Sequence, residues 1–158
     1  MTTTQQPRQL EASVEIDAPP AQVWALISDP RRMSAFSPQV VRTFVRGRGP
    51  VVTGTTFLNL NHRGPVFWPT QAEVVRCTPH REFAFRIKEN WTVWSFTLEP
   101  TSAGGTRLTQ RRETPRGISR LSTSLTSVAL GGVPRFTDEL QQGMHRTLAR
   151  VKQAAERR

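Results

Sequence analysis

The chain has one cysteine, no tyrosine, lysine only at Lys88 and Lys152, and few acidic residues. A lone Cys77 cannot close an internal disulfide and excludes any metal cage built on several cysteines. The histidines His62, His80 and His145 share no ligand spacing such as HxxxH or HExxH, so neither a metal nor another cofactor is expected. No run approaches the ~18 apolar residues that cross a bilayer. The first nine residues are rich in Thr and Gln and lack the apolar stretch of a secretory signal, which points to the cytoplasm. Twelve Asp and Glu stand against 22 Lys and Arg, a formal charge of +10. Such an excess can mark a partner made of nucleic acid or anionic membrane. Here the arginines are spread along the chain, with Arg31-Arg32, Arg42/Arg46/Arg48 and Arg107/Arg111/Arg112 as the densest groups. No basic run or nucleic-acid signature accompanies them. Nucleic acid is therefore disfavoured, and most of the charge reads as a solvated surface. Peripheral contact with an anionic membrane stays open, through an outer sheet face bearing Arg86, Lys88, Arg107 and Arg111.

What is present is enough for one core: 158 residues, 36% of them hydrophobic, within the usual size of a single domain. Residues 1–8 read as a disordered tail and 9–158 as one domain. Leu10, Ala12, Val14 and Ile16 alternate with polar residues, as a half-buried strand requires. Asp17-Ala18-Pro19-Pro20 stops that strand and opens a helix whose stripe is Val23, Trp24 and Ile27. Asp29-Pro30 ends it, and Arg31–Phe36 can add a further turn. Period-two segments follow at about Val40–Arg46, Thr55–His62, Val66–Cys77, Glu82–Glu89, Trp91–Glu99 and Thr106–Thr114, separated by Gly, Pro and Asn turns. The short turns imply an antiparallel meander, because parallel strands need long crossovers.

Helical spacing then returns. Ile118, Leu121, Leu125 and Val128 predict a helix over Ile118–Leu130, suited to a mobile lid. Gly131-Gly132-Val133-Pro134 reads as a hinge. Phe136, Leu140, Met144, Leu148, Val151 and Ala155 form one long apolar stripe. The expected class is α+β, with a curved antiparallel sheet of six or seven strands wrapped around a long C-terminal helix and two short helices after the first strand.

Several pieces resemble the START-like (SRPBCC, helix-grip) superfamily, in its polyketide cyclase/dehydrase and lipid-transport branch. They are Ile16 with Ala18-Pro19-Pro20 and Val23-Trp24, then Ser28-Asp29-Pro30, Ser37-Pro38, Gly54-Thr55-Thr56-Phe57 and Asn61-His62-Arg63-Gly64. Trp68, Arg81-Glu82-Phe83-Ala84-Phe85, Gly105-Thr106-Arg107-Leu108-Thr109, Gly143-Met144 and Leu148 continue the series. The resemblance runs over residues 10–156. It implies a pocket between sheet and last helix that takes a hydrophobic small molecule, such as a lipid or polyketide. A carrier or sensor, monomeric or homodimeric, is the leading expectation. A cyclase/dehydrase acting in the same pocket is the alternative.

Candidate pocket residues follow from both arguments. Phe83, Phe85, Trp94 and Phe96 alternate toward the helix side, with Trp68 and Thr70 joining them. Gln110 and Arg112 share a face with the core residue Leu108, where a charge is expensive unless paired or hydrated. A bulge turning Arg112 outward is the competing reading. Gly143, Met144 and Thr147 lie on the inner side of the last helix. In Thr55–His62, alternation alone would bury Leu58, Leu60 and His62, which would make His62 the pocket acid/base. The family pattern buries Phe57, Asn59 and Asn61 instead, and that register is preferred; a shift of one residue exchanges the faces. No catalytic residue is assigned, since Glu73, Glu89, Glu99 and Glu113 all read as outward and general acid–base work needs such a group. Asp29 reads as a cap.

Overall fold

The computed structural model describes residues 10–114 and 133–157, with side chains of the last helix described from residue 137 onward. The sequence positions 1–8 and the anticipated helix Ile118–Leu130 lie outside those residues.

Alternation builds seven strands: β1 (Leu10–Ile16), β2 (Val40–Val45), β3 (Thr56–Arg63), β4 (Val66–Thr78), β5 (Glu82–Ile87), β6 (Val93–Pro100) and β7 (Thr106–Glu113). All pairings are antiparallel, in the order β1-β7-β6-β5-β4-β3-β2, so β1 and β2 are the edges. β6 begins two residues later than the alternation suggests, because Trp91 sits in the turn at φ 59°. Register shifts interrupt the β2/β3 ladder at Val40/Arg42 and the β4/β5 ladder at Val74/Arg76, and such β-bulges bend a strand.

Three helices cover the concave face: α1 (Pro20–Ile27), α2 (Met33–Phe36) and α3 (Val133–Glu156). Pro20 opens α1 at its first position, where a missing N–H is harmless. The same chemistry corrects the anticipated hinge: Val133-Pro134 belongs to the first turn of α3. The Asp29 carboxylate accepts from Arg31 N–H at 3.0 Å and caps the 3-10 turn Pro30–Arg32.

One end of the interior is solid. Val23, Phe83, Leu98, Leu108, Leu148, Val151 and Ala155 are buried together beneath α1 and the C-terminal half of α3. Polar clasps close it: Thr106 Oγ1 donates to Ala18 C=O at 2.8 Å, Glu156 accepts from Asp17 N–H at 2.9 Å, and Lys152 Nζ donates to Glu15 C=O at 2.7 Å. β1 passes so close to the start of β7 that a Cβ on Gly105 would stand 2.5 Å from Ile16 C=O.

The outer face differs from strand to strand. Across β1 and β4–β7 it is laced with ion pairs: Arg111–Glu11, Arg107–Glu15, Arg86–Glu73, and Arg76 with both Glu82 and Glu113. Of the cations expected to make this a basic surface, Arg86, Arg107 and Arg111 thus each face a carboxylate. No helix among the described residues is long and apolar enough to cross a membrane.

Candidate functional site

Beyond the solid end, the concave sheet and the N-terminal half of α3 part to leave a cavity of about 310 Å³. That lies at the lower end of the range of small-molecule sites. Cross-strand register explains its wall. Phe85 stands opposite Trp94, and Trp94 opposite Arg112; Phe96 stands opposite Gln110 in the next row. β3 contributes Asn59 and Asn61, β4 Trp68 and Thr70, and α3 Thr137, Leu140, Gly143, Met144 and Thr147. Phe57, Asn59 and Asn61 point inward, each less than a tenth exposed. His62 faces outward and stacks on Phe67, so it is no pocket acid/base.

Of the residues anticipated from sequence, Asn59, Asn61, Trp68, Thr70, Phe85, Trp94, Phe96, Gln110, Arg112, Gly143, Met144 and Thr147 line this cavity. Phe57 and Phe83 do not, and their assignment is corrected. Phe83 lies under Trp24 of α1, edge to face at 6.2 Å, and Phe57 packs edge-on behind Phe85 at 5.2 Å. Both belong to the packed core. Sequence reasoning missed Met33, Ser37, Pro38, Gln39 and Val40 between α2 and β2, and also Ile87, Asn90, Thr92, Thr137 and Leu140. Ile87 continues the Phe83/Phe85 alternation, and Thr137 and Leu140 continue the helical spacing of Met144 and Thr147, so these three were within reach. The α2–β2 connection has no periodicity that could have revealed it.

Several polar groups of the wall bond within the protein. Asn59 Oδ1 accepts from Thr43 Oγ1 at 2.6 Å, and Asn61 Nδ2 donates to Thr70 Oγ1 at 2.9 Å and to Trp68 C=O at 3.2 Å. Thr147 Oγ1 donates to Gly143 C=O at 2.9 Å, back along its own helix. β7 is the exception. Gln110 Oε1 is buried without a hydrogen-bond partner. Arg112, two residues on, lies over the ring of Trp94 at 5.9 Å. Among the described residues it has no carboxylate partner. Desolvation by burial pulls its guanidinium below the ordinary arginine value. No bulge turns it outward: β7 keeps an unbroken register against β6 through Arg112.

Among the described residues the wall contains no Asp, Glu, His or Cys, and the sequence has none at positions 1–9 or 115–132. The described residues form no cluster of His, Cys, Asp and Glu that could hold a metal ion. An added Cβ on Gly143 would meet only Pro38 Cγ, at an ordinary 3.8 Å, so close packing does not demand a glycine there.

Comparison with known proteins agrees with this architecture. The crystal structure of TTHA0849 from Thermus thermophilus is similar at 15% identity and a TM-score of 0.70, over 94% of this chain and 97% of that one. The di-domain ARO/CYC StfQ from the steffimycin biosynthetic pathway aligns at 16% identity and a TM-score of 0.74, over 94% of this chain and 50% of its own length. The solution structure of the Aha1 dimer from Colwellia psychrerythraea gives 15% identity and a TM-score of 0.63, over 96% and 98% of the two chains. At these identities the likeness is one of fold: a curved antiparallel sheet gripping a long C-terminal helix. No curated protein matches. A family model matches residues 7–156, and the chain belongs to the family described as Polyketide cyclase / dehydrase and lipid transport.

Proposed function

We propose that the protein binds an apolar small molecule bearing an anionic or strongly polar oxygen at one end, and carries or senses it without transforming it. One observation supports this above the others. In an aromatic cavity where Asn59, Asn61, Thr70 and Thr147 bond within the protein, β7 presents Gln110, whose Oε1 is buried without a partner, beside Arg112, which has no carboxylate partner among the described residues. A half-buried guanidinium without a counterion is unfavourable until something supplies one. A carboxylate on the ligand would do so through a charge-assisted hydrogen bond, with the apolar remainder against Trp68, Phe85, Trp94 and Met144. The family's other activity, cyclisation or dehydration of a polyketide-like chain, would need a group that takes and returns protons near neutral pH. Arg112 can polarise a carbonyl or hold an enolate, but it cannot fill that role.

The test pairs decanoic acid with decanol, which have equal chain length and differ at the head. The wild type should bind the acid about ten- to hundredfold more tightly, the worth of one charged hydrogen bond in a pocket. In Arg112→Leu that preference should vanish while binding of the alcohol survives. Equal affinity for both molecules in the wild type would sink the reading. So would a cyclised or dehydrated product after incubation with a poly-β-keto chain, which would move the protein to the enzymes.

A further inference from the structure

From Pro30 to Ala72 the chain contains no Asp or Glu, yet it carries Arg31, Arg32, Arg42, Arg46, Arg48 and Arg63. The same stretch supplies Val41, Phe44, Val52, Leu58, Val66 and Phe67, the large apolar side chains most exposed among the described residues apart from Trp91. Trp91 itself lies under the Arg86 guanidinium. Cross-strand register gathers several of them on one surface. Phe44 stands opposite Leu58, Arg42 opposite Leu60, Leu60 opposite Pro69, and His62 opposite Phe67. All point away from the cavity, on the outer side of the three strands that end at the free edge β2. Arg42 lies over the Phe44 ring at 4.9 Å. A shallow groove beside it is lined by Phe44, Leu58 and Gln71 and flanked by Arg46 and Lys88.

We infer that this face docks on an anionic lipid bilayer, an inference independent of what the cavity holds. Contiguous exposed apolar residues mark an interaction surface, and the charge pattern selects the occupant. No described carboxylate pairs with Arg42, Arg46 or Arg48. A second copy of the chain meeting the first through this face would set these cations against one another with no acid to offset them. An anionic headgroup layer offers phosphates to the arginines, and Phe44, Phe67, Leu58 and Val41 find the acyl boundary beneath it. A nucleic acid would stack on Phe44 and Phe67 but leave the exposed aliphatic Val41, Val52, Leu58 and Val66 without a partner. The surface also adjoins the site: Val41 and Phe67 are chain neighbours of Val40 and Trp68 in the cavity wall.

The experiment is co-sedimentation of the full chain with vesicles of phosphatidylcholine alone or mixed with phosphatidylglycerol, at low and at high salt. Binding should require the anionic lipid and weaken as salt screens the arginines. Two substitutions remove the same unit of charge: Arg42→Gln on this face and Arg107→Gln on the ion-paired half. Only Arg42→Gln should lower binding, by about threefold to tenfold, since a cation near an anionic surface contributes about 1 kcal/mol. Phe44→Ser/Phe67→Ser should lower it further, and because both side chains are already exposed its circular dichroism should match the wild type. Should the double variant misfold, Phe67→Ser alone carries that arm. The inference fails if anionic vesicles are not bound. It fails if Arg107→Gln weakens binding as much as Arg42→Gln. It also fails if light scattering finds a dimer that Phe44→Ser/Phe67→Ser dissolves.

Discussion

The interior has two ends built from the same sheet and helix, and they obey different rules. Around Phe83, Leu108, Leu148 and Val151 the inward positions are apolar apart from Thr106, which bonds to Ala18 C=O, and the packing is continuous. Around Phe85, Trp94 and Met144 the inward positions alternate between aromatic rings and Asn, Thr, Gln and Arg, and the packing opens into the cavity. A single pair of β-strand neighbours shows the boundary: Phe83 is core, while Phe85, two residues on, is wall. The contrast indicates that stability is concentrated beneath α1 and that the other end is free to be specific.

The largest expected effect tests that division directly. Phe83→Ala should cost about 3–5 kcal/mol in urea unfolding, the usual range for a buried phenylalanine. Trp94→Ala, which removes a larger side chain from beside an existing void, should cost about half as much. Equal losses would mean the two ends share the load.

Next comes Arg112→Leu. Removing a half-buried charge that lacks a carboxylate partner among the described residues, while keeping apolar bulk, should leave stability unchanged or raise it by about 1 kcal/mol, while the preference for an acidic ligand disappears. Gln110→Glu sharpens the point, because a carboxylate beside Arg112 would neutralise it in place. Acid binding should then fall although the cavity keeps its shape, as calorimetric titration would report.

Gly143→Ala should stabilise the protein by about 0.5–1 kcal/mol in thermal unfolding through helix propensity alone, since the new methyl meets no obstacle. It should also narrow the cavity and weaken binding of bulky ligands. The smallest effect lies at the solid end's rim. Bonds from Lys152 and from Asp17 N–H hold the Glu156 carboxyl below its ordinary value. A lowered carboxylate pKa contributes stability above the unfolded value and loses it as pH falls through the folded one. Glu156→Gln should therefore lower the melting temperature slightly at neutral pH, and the difference should close in acid.

The fold was legible because its signals are periodic. Leu10–Ile16, the β5–β6 alternation and the stripe from Leu140 to Ala155 each repeat on their own element's period, and hydrophobic burial needs little more. β3 was harder, since Leu58 and Leu60 make a plausible inner face by hydropathy alone. The structure buries Asn59 and Asn61 there because Thr43, Thr70 and a backbone carbonyl satisfy them, and such partners lie on the neighbouring strands β2 and β4, which the pattern of β3 alone does not reveal. Phe83 was misassigned for a related reason: alternation gives its face of the sheet but not that Trp24 would cover it.

The clasps on α3 have a mechanical consequence. Lys152, Glu156 and the buried Leu148 and Val151 fasten its C-terminal end, whereas Arg63 and Glu139 join sheet to helix near the cavity. A rod pinned at one end works as a lever. From Leu148 back to Val133 the arm is about 22 Å, so a tilt of about 10° would carry its tip roughly 4 Å, the width of a hydrocarbon chain. Such a tilt would have to part the half-buried Arg63–Glu139 pair, whereas the packed end could stay shut.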